Sequence, residues 1–216
     1  NLEQIPPHTS IADAIREKDR LLYYPYENID FFLQLIKEAA TDPEVISIHI
    51  TIYRLARHSK LIESLVKAAE NRKDVIVLME LRARFDEENN INWSETLIEA
   101  GVKVFYGFDD YKAHSKVCLI TYIRNNKLQM ITQVGTGNYN ESTSKQYTDL
   151  SLLTADTGIG SDAAKFFQDM LIGNLDGVYE HLLASPYTLK STMLTLIDEQ
   201  IEVQREHGNG LIRLKL

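Results

Sequence analysis

Cysteine is nearly absent from this chain. The single Cys118 sits in the apolar run VCLI. A disulfide framework is therefore excluded, a reducing cytoplasm suits the chain, and the thiol reads as a small buried hydrophobe. Long hydrophobic runs are lacking too. None reaches the roughly 18 apolar residues that a membrane-spanning helix needs, although association with a membrane surface stays open. Positive charge is also short: 23 Lys and Arg stand against 31 Asp and Glu, a net charge of −8. Nucleic-acid binding usually needs a basic face, so no nucleic-acid partner is expected. No internal repeat or low-complexity tract is visible. The 216 residues suffice for one large domain, and a start at Asn1 rather than Met reads as a piece of a longer chain.

What is present is an ordinary globular composition, 44% hydrophobic and 25% charged. Ser10 suits the cap of a first helix, and YYPYENID reads as a turn leading into a second, with Ile29, Phe32, Leu33, Ile36 and Ala40 at helical spacing. VISIHITIYRL predicts a strand over about Val45–Tyr53, and DVIVLMEL a second buried strand. Leu61, Leu65, Ala68 and Ala69 recur with helical period between them. NWSETLIEAG predicts a helix stopping at Gly101, followed by the strand VKVFYG. This alternation argues for an α/β unit with a substantially parallel sheet. Afterwards HSKVCLITYI, KLQMITQVG and TDLSLLT are strand-like, with RNNK as a hairpin turn between the first two. Helices follow near Ile159–Leu171 and Lys190–Gln204, and HGNGLIRLKL predicts a turn into a last strand.

One stretch inverts the overall charge. Between Lys112 and Thr148 stand Lys112, Lys116, Arg124, Lys127 and Lys145 against only Glu141, a first hint of an anion site. Within it, KAHSKVCLI places His114 and Lys116 two apart at the start of a predicted strand, where i and i+2 share a face. A neutral imidazole is a nucleophile, and a nearby cation steadies phosphoryl oxygens. The turn GTGNYN follows. Gly135 and Gly137 permit close backbone approach to a ligand, and Asn138 and Asn140 offer amide donors and acceptors.

These motifs resemble the phospholipase D superfamily pattern, H-x-K with a later Asp and then G-[ST]-x-N. His114-Ser115-Lys116 and Gly135-Thr136-Gly137-Asn138 match, but Thr121 stands at the Asp position, so an Asp that orients the histidine has to come from elsewhere. The longer stretches LRARFDEENNINW, EAGVKVFYG, KAHSKVCLI, GTGNYNESTSKQYTDLSLLT and GLIRLKL resemble the polyphosphate kinase family, most clearly over Ile11–Thr154. The resemblance implies an α/β fold of the phospholipase D-like class, a mixed sheet flanked by helices. It implies reversible transfer of the ATP terminal phosphate to inorganic polyphosphate through a phosphohistidine at His114, with magnesium (Mg2+) as cofactor. Lys116 joins the catalytic pair. Tyr147 in YTD matches the family's nucleotide-contacting tyrosine, and Arg54 in IYRL and Arg84 in RARFDEENN match two arginines of its magnesium site. Guanidinium has no acceptor, so both are expected to grip phosphate oxygens, with the metal bridged by phosphate or water. Residues 1–185 would form the first phospholipase D-like catalytic domain, and 186–216 a linker helix and the start of the second. The remaining domains would complete the site, the full-length protein would be a homo-oligomer, and the piece alone would turn over little.

Plainer readings weigh against several residues. His58-Ser59-Lys60 is a second H-x-K, but it precedes a helix, where residues two apart do not share a face. His49 suits a structural place in a strand. Asp86, Glu87 and Glu88 suit a solvated helix start. Two rival functions stay on the page: a phosphodiesterase of the phospholipase D type, against which Thr121 counts, and a non-catalytic polyphosphate-binding module.

Overall fold

Continuous β-branched and apolar runs fix the centre of the molecule. The computed structural model describes residues 9–81, 87–108 and 111–214. Strand β1 spans Arg20–Tyr24, β2 Val45–Ile52 and β3 Asp74–Met79. The last two are buried on both faces, as strands between helical layers must be. Helix α3 (Lys60–Glu70) joins them and is capped by Ser59, whose hydroxyl accepts from Ile62 N at 3.4 Å. That crossover makes β2 and β3 parallel, with Ile48 opposite Val75. Helix α4 (Glu87–Glu99) starts with exposed Glu87 and Glu88 and leads through Gly101, at φ +89°, to β4 (Lys103–Tyr106), parallel to β3.

The pairing then turns antiparallel. Strands β5 (Val117–Arg124) and β6 (Lys127–Gly135) form the hairpin that RNNK predicts. Asn125 and Asn126 have φ of 52° and 57°, the paired left-handed conformations of a type I′ turn, whose twist matches that of the strands. Asn tolerates this region and Ala does not. Asn126→Ala is expected to lower stability by about 1 kcal/mol, seen as a lower urea midpoint with unchanged slope. Strand β7 (Asp149–Thr154) pairs with β6, and β1 pairs with β7. The sheet order is β1-β7-β6-β5-β2-β3-β4.

Helices α1 (Ile11–Glu17), α2 (Asp30–Thr41), α3 and α4 cover one face. Phe32, Ile36, Leu61, Leu65 and Leu97 pack there with Ile48, Ile50, Val77, Ile120 and the buried Cys118. Helix α5 (Thr157–Leu171) covers part of the other face, with Ala163 and Phe167 against Val117 and Leu119. His49 lies on that side, half-buried, its ring edge-on to Phe167. Helix α6 (Leu189–His207) buries none of its side chains. No described helix is long and apolar enough to cross a membrane.

Three expectations need correction. Tyr23 and Tyr24, part of the predicted turn YYPYENID, end strand β1 just before Pro25, and the sequence predicts no strand over Arg20–Tyr24. The strand predicted after Gly210 does not form through Leu214. A strand needs a partner edge, and here Gly210 N and Leu211 N donate to the side chains of Gln204 and Gln200 instead. Finally, His114 and Lys116 stand just before β5 rather than on it.

Candidate functional site

The three parallel strands end on one edge of the sheet, the usual ligand edge of an α/β fold. Tyr53 and Arg54 follow β2 directly. From β4 the chain crosses this edge and delivers His114 and Lys116 to the start of β5. Thr51, near the end of β2, fastens that approach: its hydroxyl donates to Ser115 O at 2.7 Å and accepts from Val117 N at 3.0 Å.

The side chains gather around one ring. The His114 imidazole stands edge-on to Tyr53, centroids 4.6 Å apart. Lys116 Nζ lies 5.2 Å from the same centroid and Arg54 Cζ 5.6 Å, within range for a cation over an aromatic face. Lys116 is 5% exposed and donates from Nζ to His114 O at 2.6 Å. His114 is exposed. Tyr53 was not singled out from sequence; an aromatic next to a buried strand looks like core.

The GTGN turn arrives from β6. A Cβ at Gly137 would lie 2.7 Å from the Asp149 carboxylate, and one at Gly135 3.1 Å from Leu150 O. These glycines therefore leave the room that β7 itself occupies. Asp149 accepts from Thr136 Oγ1 at 2.7 Å. Its charge also acts favourably on Lys116. Thr121, four residues into β5 opposite Met130, is about 13 Å along the strand from Val117, so a carboxylate there would not touch His114. Asn138 is half-buried, and its Oδ1 has no hydrogen-bond partner among the described residues. Asn140 Oδ1 caps the next turn, accepting from Ser142 N and Thr143 N. Tyr147, 62% exposed, follows that turn.

A family model, polyphosphate kinase C-terminal domain 1, matches residues 10–174. The chain belongs to the polyphosphate kinase family. The polyphosphate kinase of Halalkalibacterium halodurans is 44% identical over 214 residues, covering 99% of this chain and 30% of that protein. This chain thus spans less than a third of such curated relatives. The crystal structure of polyphosphate kinase from Porphyromonas gingivalis superposes with a TM-score of 0.81 at 37% identity, over 94% of this chain and 34% of that one. Nuc, a phospholipase D family member from Salmonella typhimurium, superposes with a TM-score of 0.54 at 15% identity, over 72% of this chain and 92% of that one. That likeness shows the fold: a phospholipase D-like mixed sheet flanked by helices.

Within this polyphosphate kinase domain, partial desolvation, then Lys116, Arg54 and Lys112, hold the His114 imidazole below its ordinary range. Burial pushes the Lys116 ammonium down to about 8, against the pull of Asp149. The basic run Lys112–Lys145 does not gather as one patch. Arg124 sits at the opposite end of β5, paired with Asp13 and Glu44, and Lys127 starts β6 beside it. His58 is exposed just ahead of the α3 cap. Arg84 and Asp86 lie outside the described residues. Among the described residues no three His, Cys, Asp or Glu side chains converge to hold a metal. Arg54 has no lone pair to give one. The described residues thus form no all-protein cage for magnesium.

Proposed function

We propose that this chain supplies one half of a site that moves the terminal phosphate of ATP reversibly to inorganic polyphosphate, with His114 as the carrier. The observation behind this reading is the convergence of an exposed, uncharged imidazole with Lys116 and Arg54 around Tyr53. A ring nitrogen of His114 attacks the terminal phosphorus, the bond to the bridging oxygen breaks, and ADP leaves with that electron pair. A terminal oxygen of polyphosphate then attacks the phosphohistidine, and the N–P bond breaks. Lys116 and Arg54 spread the charge of the equatorial oxygens. Asp149 steadies Lys116, and Tyr147 offers its exposed ring to the nucleotide. Magnesium enters with the phosphates rather than on a protein cage. The other domains of the full-length protein complete the site, so the 216 residues alone turn over little.

The full-length protein with γ-labelled ATP tests this. Label that is acid-labile and base-stable supports it; acid-stable label, or none, sinks it. Arg54→Gln should weaken ATP binding about 10- to 100-fold, the worth of a charge-assisted hydrogen-bond pair. Equilibrium binding checks this, and unchanged affinity would remove Arg54 from the phosphate site.

A further inference from the structure

One buried side chain ties the ends of β2 and β3 together. Asn90 of α4, 0% exposed, donates from Nδ2 to Tyr53 O at 2.8 Å and to Glu80 O at 2.9 Å. Neighbours on the same helix extend the clamp. Asn89 Nδ2 donates to Leu55 O at 3.2 Å and Trp93 Nε1 to Ala56 O at 3.2 Å. The segment carrying Arg54 is thereby held to α4 by three side chains.

Glu80, 1% exposed, continues the chain of contacts. Its carboxylate accepts from Ala113 N at 2.9 Å, one residue before His114. A Cβ at Gly107 would lie 3.1 Å from Glu80 Oε2, so Gly107 leaves the room this carboxylate occupies. Burying a carboxylate is costly, and here it meets the chain beside the nucleophile. We propose that Asn90 and Glu80 are positioning residues that set His114 at a fixed height against Arg54: Asn90 fixes the arginine segment and the root of Glu80, and Glu80 fixes the histidine loop. This rests on the phosphohistidine reading above.

The test uses the full-length enzyme, with γ-labelled ATP and rapid quenching in a single turnover. Glu80→Ala should slow histidine labelling about 100-fold, the cost of roughly 1 Å of misplacement, with final label and ATP affinity unchanged. Glu80→Gln keeps a side-chain oxygen for Ala113 N and should restore labelling to within about fivefold of wild type. Gly107→Ala crowds the carboxylate without altering its charge and should slow labelling about tenfold. Wild-type labelling by Glu80→Ala, or slowing accounted for by lost ATP affinity, would overturn the proposal. If Glu80→Ala does not fold, Gly107→Ala decides, and unaltered labelling there overturns it. Absence of label on the wild type would remove the phosphohistidine and this brace together. Label on the wild type with variants equally fast removes the brace alone.

Discussion

Full-length protein carrying His114→Ala is expected to take no acid-labile, base-stable label from γ-labelled ATP, and to lose ATP-dependent polyphosphate synthesis to background. Other nucleophiles stand nearby, so the outcome is not trivial. Lys116 is 5% exposed and holds its ammonium proton up to about pH 8, so near neutral pH it offers no lone pair to a phosphorus. Cys118 is 1% exposed, and burial raises its thiol far above neutrality. Of this cluster, only His114 combines exposure with an uncharged ring near neutral pH. Loss of a sole covalent carrier removes the pathway rather than slowing it. Label retained at full level in the variant would move the nucleophile to another residue.

The second large effect is a pH profile. Burial is the main cause that brings Lys116 down to about 8, with Arg54 acting in the same direction and Asp149 opposing. In the proposed reaction the charged ammonium meets the phosphate oxygens below that value; as pH rises through it, the charge is lost. The labelling rate per enzyme at low ATP should therefore fall above about pH 8 by about 10- to 100-fold, the worth of a charged hydrogen bond. Lys116→Arg keeps its proton throughout and should lose that limb. On the acid side partial burial holds His114 below its ordinary value, so the acid fall in labelling should begin at a lower pH than a free imidazole would set. A wild-type rate flat to pH 10 would show that Lys116 does not meet the transferring phosphate.

The parallel strands were legible because a doubly buried strand has no polar face and reads as one apolar run. The RNNK hairpin was legible because two residues with positive φ leave few choices of side chain. Strand β1 was not, since its tyrosines and the following proline carry turn chemistry, and only pairing with β7 makes them a strand. At the site, His114 and Lys116 stood out by spacing, though they precede the strand on which that spacing was argued. Tyr53 and Asp149 did not stand out. Their roles come from contacts between residues about 60 and 30 positions from the histidine–lysine pair, distances over which local periodicity carries no information. Glu80 was hidden for the same reason, at the end of a run that looks like core.

The route of the chain between β4 and β5 has a kinetic consequence. Those strands are not neighbours; β3 and β2 lie between them, so the connection spans about 14 Å of sheet edge. Two of its anchors, Thr51 in β2 and Glu80 directly after β3, come from the two strands it passes. Thr51 and Glu80 can fasten the histidine loop only once both strands have docked, so these long contacts are expected to close late in folding. In the native state the same segment is expected to open locally before the strands beneath it. Amide exchange at residues 113–116 would then report the order of the His114 loop more directly than any measure of global stability.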